Sequence, residues 1–386
     1  MEVVSDNKKY FVNSKLGCII VTSDEPWSDV WMPQLHYAYQ LSKRYNVIFL
    51  GPPAAWSIRS LFRLKHEAKK YNDRLIVINY LNVLPLFIGK LAVFINDLIN
   101  QKLISKKITV NSKLPDLIMW RFDPFRSMYI YNDKNKARQV FHVIDPIAGK
   151  DLDIPLTKMS ELVITTSPKF MDHYKALNKK VILLRQGVDI DFYNSAVTSE
   201  DINSSIAKDS VLLLGSFTDD IDYLFLKKIA DHISTNLVFI GPMKILKHEK
   251  VTQFNDLIGK DNVHWLGPME PNKFLSYLKA CNVGIISYDH DNNPNNKFRS
   301  PLKAIGYLAA HKCIISNIDC EIPSLQNKAI YILNDEQAYL KLLDKSFAGS
   351  LLFDEEAVKR YLASIDYDNL IALAFSSLGK EFSPKV

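Results

Sequence analysis

The sequence predicts an α/β protein of two doubly wound domains, each a mostly parallel sheet covered by helices on both faces. Three observations lead there. Short apolar runs alternate with longer amphipathic stretches, the pattern of strands buried on both faces and joined by crossover helices. The series stops once, at a polar stretch rich in Ser, Asn and Asp over 194–208, and then restarts. The length of 386 residues suits two cores, in domains of roughly 150 to 200 residues each.

In chain order the runs of the first half are 17–22, 46–50, 74–79, 116–120, 139–144, 161–165 and 180–184; those of the second are 210–214, 236–240, 262–266, 282–286, 312–316 and 329–333. The expected division is a first domain over 1–193, a linker over 194–208 and a second domain over 209–365. A last helix over 366–386 follows, with Leu370, Leu373, Ala374 and Leu378 as its apolar positions. No repeat, low-complexity tract or heptad seam interrupts this order.

Composition narrows the function. With 47% hydrophobic and 23% charged residues the chain reads as an ordinary globular protein. The net charge of +6 is spread along the chain, which gives nucleic-acid binding little support. Cys18, Cys281, Cys313 and Cys320 form no CxxC and no metal-ligand spacing, so reduced thiols of a cytoplasmic protein are expected, and no metal. The N-terminal residues lack a signal-type apolar core, and no apolar run reaches the length of a membrane span, so the expectation is a chain neither secreted nor spanning. Residues 81–99, LNVLPLFIGKLAVFINDLI, come nearest to a span but are broken by Pro85, Gly89 and Lys90. Basic residues flank them: Arg59, Arg63, Lys65, Lys69 and Lys70 before, and Lys102, Lys106 and Lys107 after. That arrangement suits either a peripheral contact with the inner face of a membrane or a helix packed on a sheet.

The chemistry concentrates in 282–316, NVGIISYDHDNNPNNKFRSPLKAIGYLAAHKCIIS. A strand ends at Tyr288, a loop full of Asp and Asn follows, and Ser300, Pro301, Leu302 and Lys303 open a helix that leads to the next strand. Ser300 has N-cap chemistry and Pro301 suits the first helical position. The free N–H groups beyond them seat an anion, to which Lys303 adds a positive charge. The physical reading is a phosphate site, most simply the diphosphate of a nucleotide. Gly215 and Ser216, followed by Phe217, end an earlier strand, where a glycine admits a ligand to the backbone and Ser216 can donate to a phosphate. Tyr288 either stacks on a base or is simply packed. In the first half, Asp145 ends the run 139–144 and is either a proton acceptor or the cap of a turn before Pro146. Asp24 is the second-choice carboxylate. Trp27 and Trp31 are either a stacking platform or the apolar start of a helix.

The run from Tyr288 to Ser316 resembles the donor-binding segment of the GT-B glycosyltransferases, P-L-K-x-x-E-Y-L-A-x-G-x-P-V-V-S. Pro301, Leu302, Lys303, Tyr307, Leu308, Ala309 and Ser316 match; the glutamate falls on Gly306, the glycine on His311 and the proline on Cys313. Arg185, Gln186, Gly187, Val188, Asp189 and Phe192 resemble the family's N-G-V-D-x-x-x-F junction. The resemblance implies two Rossmann-like domains facing each other across a cleft. The second would bind a nucleotide diphosphate sugar, with a UDP-sugar the first expectation. The donor residues it implies are Gly215, Ser216, Phe217, Gly267, Pro268, Tyr288, Ser300, Pro301, Leu302 and Gly306, with Lys303 facing the diphosphate. The Arg and Lys pair of many retaining members is absent beyond Gly215. The first domain would bind a saccharide or lipid-linked acceptor through Asp24, Trp27 and Trp31. Asp145 stands where exopolysaccharide glycuronosyltransferases of this fold, which also lack the glutamate, keep an aspartate base. The last helix would cross back to the first domain. No cofactor or metal is implied. An epimerase of the same fold and a silent sugar-nucleotide or glycan-binding subunit of a biosynthetic complex are the rival readings.

Overall fold

The structure, a computed structural model, describes residues 2–3, 17–28, 32–54, 67–85, 89–108, 117–124, 137–144, 153–195, 202–290, 292–293, 296, 302–333 and 335–379. The chain divides into two compact units, Met1–Arg185 with Tyr367–Val386, and Gln186–Asp366.

The first unit holds β1 (Glu2–Val3), β2 (Cys18–Thr22), β3 (Asn46–Leu50), β4 (Glu67–Asn72), β5 (Leu75–Asn79), β6 (Leu117–Arg121), β7 (Arg138–Val143), β8 (Leu162–Thr165) and β9 (Val181–Leu183). They form one sheet in the order β1-β4-β5-β3-β2-β6-β7-β8-β9. From β5 to β9 every pairing is parallel, whereas β4 runs antiparallel to both β1 and β5. Successive side chains of a strand serve opposite faces. Ile19, Val21, Val47, Phe49 and Trp120 build one core, while Cys18, Ile20, Ile48, Leu50 and Met119 build the other. The helix Tyr367–Ser377 lies on the first of these, burying Tyr367, Leu370, Ile371, Ala374 and Phe375, with Leu378 beyond its end. Those positions recur at the three- and four-residue steps of one helical face. Leu373 falls off that face and is half exposed, contrary to its expected place among the apolar positions.

The second unit holds β10 (Ser210–Leu214), β11 (Asn236–Ile240), β12 (Val263–Trp265), β13 (Val283–Ile286), β14 (Cys313–Ser316) and β15 (Ile330–Ile332). All pair in parallel, in the order β12-β11-β10-β13-β14-β15. Val211, Leu213, Leu237 and Phe239 pack on one side and Leu212, Leu214, Val238 and Ile240 on the other. The stretch 194–208, expected as a linker, contributes the short helix Ser204–Ala207, which Asn203 caps and whose Ala207 is buried in this core.

The parallel part of each sheet reverses its strand order at one place, between β2 and β6 in the first unit and between β10 and β13 in the second. Ligands of open α/β sheets bind outside the carboxyl ends of the strands at such a point. Gly215 follows β10, and Tyr288 lies just beyond β13.

Candidate functional site

Three glycines end the three strands on one side of the second switch point. Gly215, Gly241 and Gly267 follow β10, β11 and β12 with φ of 110°, 141° and 68°, where a side chain is strained. The Gly241 N–H donates to the Gly267 carbonyl at 2.9 Å, and the Gly215 N–H donates to the Ile240 carbonyl at 3.0 Å. A Cβ on Gly241 would lie 2.1 Å from the Gly215 carbonyl oxygen, so the loops approach closer than any side chain allows. Gly215 and Ser216 remain exposed at the top of this ledge.

Lys303 extends over that ledge from the helix Leu302–Ala309. Its Cε and Nζ lie 3.6 Å from where a Cβ of Gly215 would stand, and its ammonium is 5.0 Å from the centre of the Tyr288 ring. The helix is held in place by Tyr307, whose buried hydroxyl accepts from the Leu214 N–H at 3.0 Å and donates to the Leu212 carbonyl at 2.8 Å. The Tyr307 ring lies directly on Gly284 of β13, with its nearest carbon 2.3 Å from where a Cβ would be. Gly284→Ala is therefore expected to displace a ring pinned at both ends, costing about 3 kcal/mol of stability. Chemical denaturation checks this, and nucleotide affinity should fall with it because Lys303 rides on the same helix.

The loop after β13 is fixed by groups from other elements. Asn317 accepts from the Tyr288 N–H at 2.9 Å and donates to the Tyr288 carbonyl at 2.7 Å. Asp289 and Lys250 form an ion pair of 2.6 Å with both side chains buried. Burial by itself would raise the Asp289 carboxyl, but the hydrogen bonds from Lys250 and Asn292 outweigh it and hold the group below the usual carboxylate range. Asn296 adds a donor to the Asp289 carbonyl at 2.8 Å. Lys250, Asn317 and Asn296 belong to no recognisable motif; long-range contact alone gives them these roles.

Other expected residues fall differently. Phe217 does not face a ligand: its ring is buried and packs at a tilt against Phe239 and Phe254. Gly267 and the exposed Pro268 stand at the far end of the ledge, two strands from Lys303. Leu302 is exposed at the start of its helix. Gly306 is buried, and the Tyr193 hydroxyl stands 3.1 Å from where its Cβ would be, in the space a longer side chain there would need. Burial first, and then the Asp189 charge, push the Tyr193 phenol up to about 12, so it is a neutral hydroxyl. His311, in the place of the family glycine, keeps the left-handed backbone that glycine adopts readily, with φ of 59°. Ser300 and Pro301 lie outside the described residues.

In the first unit, Asp24 follows β2 and accepts from the Gln34 amide at 3.1 Å. Its carboxyl is raised by burial, opposed by a backbone hydrogen bond and reinforced by the Asp123 charge beyond β6. The two carboxylates thus mark the first switch point. Trp27 packs on Phe49 and Tyr71, ahead of the helix Pro33–Ser42, and so is not the start of that helix. Trp31 and Asp145 lie outside the described residues.

No family model matches the chain. Among solved structures, sucrose-phosphate synthase of Thermosynechococcus elongatus superposes with a TM-score of 0.66 at 12% identity, covering 94% of this chain and 98% of that one. The chain has the GT-B glycosyltransferase fold. Anabaena HepE, solved with UDP and glucose, superposes at 0.65 with 10% identity, over 94% of this chain and 99% of its own. An E. coli trehalose-6-phosphate protein bound with UDP-2-fluoro glucose reaches 0.66 at 11% identity, over 95% and 99%. In sequence, the chain is 22% identical over 156 residues, 40% of its length, to TuaH of Bacillus subtilis (strain 168), provisionally named a teichuronic acid biosynthesis glycosyltransferase. It spans 38% of the length of that relative.

Proposed function

We propose that the protein is a glycosyltransferase that moves a sugar from a nucleotide diphosphate sugar, a UDP-sugar first among them, to a saccharide or lipid-linked saccharide acceptor in bacterial surface polysaccharide biosynthesis. The observation that carries this reading is the Lys303 ammonium held above the exposed Gly215 and Ser216 at a strand-order switch. A cation fixed there suits a diphosphate, whose negative charge grows as the sugar leaves. The names of HepE and TuaH support the donor and acceptor classes respectively. With no Arg and Lys pair beyond Gly215, Lys303 carries the neutralisation, aided by the Ser216 hydroxyl.

Asp145 is the proposed base that takes the acceptor hydroxyl's proton, and Asp24, with its raised carboxyl, is the alternative. The scheme assigns no step to a metal or cofactor. In place of the absent glutamate at Gly306, the Tyr193 hydroxyl is proposed to meet the nucleotide. Tyr193→Phe should then weaken nucleotide binding about fivefold to tenfold with an unchanged melting temperature, as measured by titration calorimetry.

The reading as a whole is tested by incubating the pure protein with UDP-sugars and a membrane extract as acceptor source. Release of UDP that depends on the extract supports it. Nucleotide binding with no release from any donor would favour the silent subunit instead.

A further inference from the structure

In the helix Lys90–Ile108 the described side chains between Leu91 and Asn100 show an inverted pattern. Polar side chains point inward: Asn96, Asp97 and Asn100 are 1%, 3% and 1% exposed. Asn96 accepts from the Leu84 N–H at 2.7 Å and donates to the Leu84 carbonyl at 2.8 Å, while the Asn100 amide donates to Asn82 at 3.4 Å. Asp97 lies in the field of the buried Arg121 guanidinium. Apolar side chains point outward: Leu91, Phe94 and Leu98 are 65%, 42% and 38% exposed. Spaced at steps of three and four residues, they make a single stripe. A helix on a protein surface ordinarily shows the reverse order, and an apolar stripe turned outward marks a face that meets an apolar phase.

Charge says which phase. Lys90, Phe94, Leu98, Lys102 and Lys106 follow one another at four-residue steps, so the apolar pair sits on a ridge that carries lysine positions at both ends. The helix contains four lysines and one acid, and that acid is the buried Asp97. Lys102 is exposed. A second copy of the chain would bring the same lysine row against itself, whereas a sheet of anionic headgroups complements it.

We propose that the outward face of this helix docks the protein on an anionic lipid bilayer, lying in the plane of the interface. Leu91, Phe94 and Leu98 enter the boundary between headgroups and acyl chains, and Lys102 faces the headgroups. The helix lies on the bilayer without crossing it: among the described residues, no helix is long and apolar enough to span a membrane. In purpose the proposal rests on the lipid-linked acceptor reading, since docking would bring the protein to such an acceptor, but its test is separate.

The test is cosedimentation with vesicles of phosphatidylcholine alone and of phosphatidylcholine containing about a quarter phosphatidylglycerol. The wild type should pellet with the anionic vesicles, remain in solution with the neutral ones, and be released by salt. The double variant Leu91→Glu, Leu98→Glu should lose at least about tenfold in partition, with its melting temperature unchanged because both positions are exposed, and Lys102→Glu should lose about as much in partition. Wild type that stays in solution with both vesicles, or a double variant that pellets as well as the wild type, overturns the proposal. So does a wild-type dimer in light scattering that the double variant converts to monomer, which would make the face an interface between copies. A wild type that binds vesicles yet shows no melting shift with UDP would strike the sugar-nucleotide reading and leave the docking face standing.

Discussion

Lys303→Ala is expected to lower sugar transfer by about a hundredfold to a thousandfold while the protein melts as the wild type does. The ammonium is the charge aimed at the ledge, 3.6 Å from the Cβ position of Gly215, and the helix that carries it is anchored elsewhere, through Tyr307. Removing the charge therefore takes away stabilisation of the leaving diphosphate without loosening the core. Because that charge grows in the transition state, the loss should fall mainly on kcat, with a smaller rise in KM for the donor. Lys303→Arg restores the charge but not the compact ammonium, so partial recovery is expected. Steady-state kinetics with the donor varied at fixed acceptor checks both variants. Equal loss of activity and melting temperature would mean that Lys303 acts through the fold.

The second large effect is on stability. Lys250→Ala should destabilise the protein by about 3 to 5 kcal/mol at neutral pH, since it leaves the buried Asp289 carboxylate without its cation. Lys250→Met together with Asp289→Leu should recover much of that loss, because both charges leave together. The pH dependence has a definite sign. The Asp289 carboxyl is depressed in the folded protein, so its contribution is fully present above the ordinary carboxylate value of about 4 and is lost as the pH falls from there through the lower native value. The gap between wild type and Lys250→Ala should accordingly narrow in acid. Urea titrations at neutral and acidic pH measure it. A gap independent of pH would show that Lys250 contributes packing only.

The sheets were readable from sequence because both faces of their central strands are buried, and each apolar run of the two expected series coincides with a parallel strand. The antiparallel β4, EAKKYN, was not readable: only Ala68 is buried in it, and two lysines and a glutamate hide it from any hydropathy pattern. The site divides similarly. Lys303, Gly215 and Tyr288 announce themselves by position in strand, turn and helix starts. Lys250 and Asp289 stand 39 residues apart, and Asn317 meets Tyr288 across 29, so their partnership exists only after the strands have been laid side by side. Phe217 misled for the opposite reason. An aromatic after a glycine turn looks like a ligand contact, but the hydrogen bonds of its backbone to Pro242 and Lys244 steer its ring into the core. The missing glutamate at Gly306 is visible in the sequence, whereas the Tyr193 hydroxyl that stands against the same position is not.

A diphosphate site beneath Lys303 should show in the melting temperature of the pure protein in rising concentrations of UDP, GDP, ADP, CMP and dTDP, with Lys303→Ala measured alongside. A ligand that binds only the folded chain adds stability as RT ln(1 + [L]/Kd), so at about a hundred times its dissociation constant it contributes about 2.7 kcal/mol. A concentration-dependent rise is expected for the wild type with UDP, and little or none for the variant. No rise with any nucleotide, or an equal rise in both proteins, would contradict a diphosphate site at Gly215, Tyr288 and Lys303.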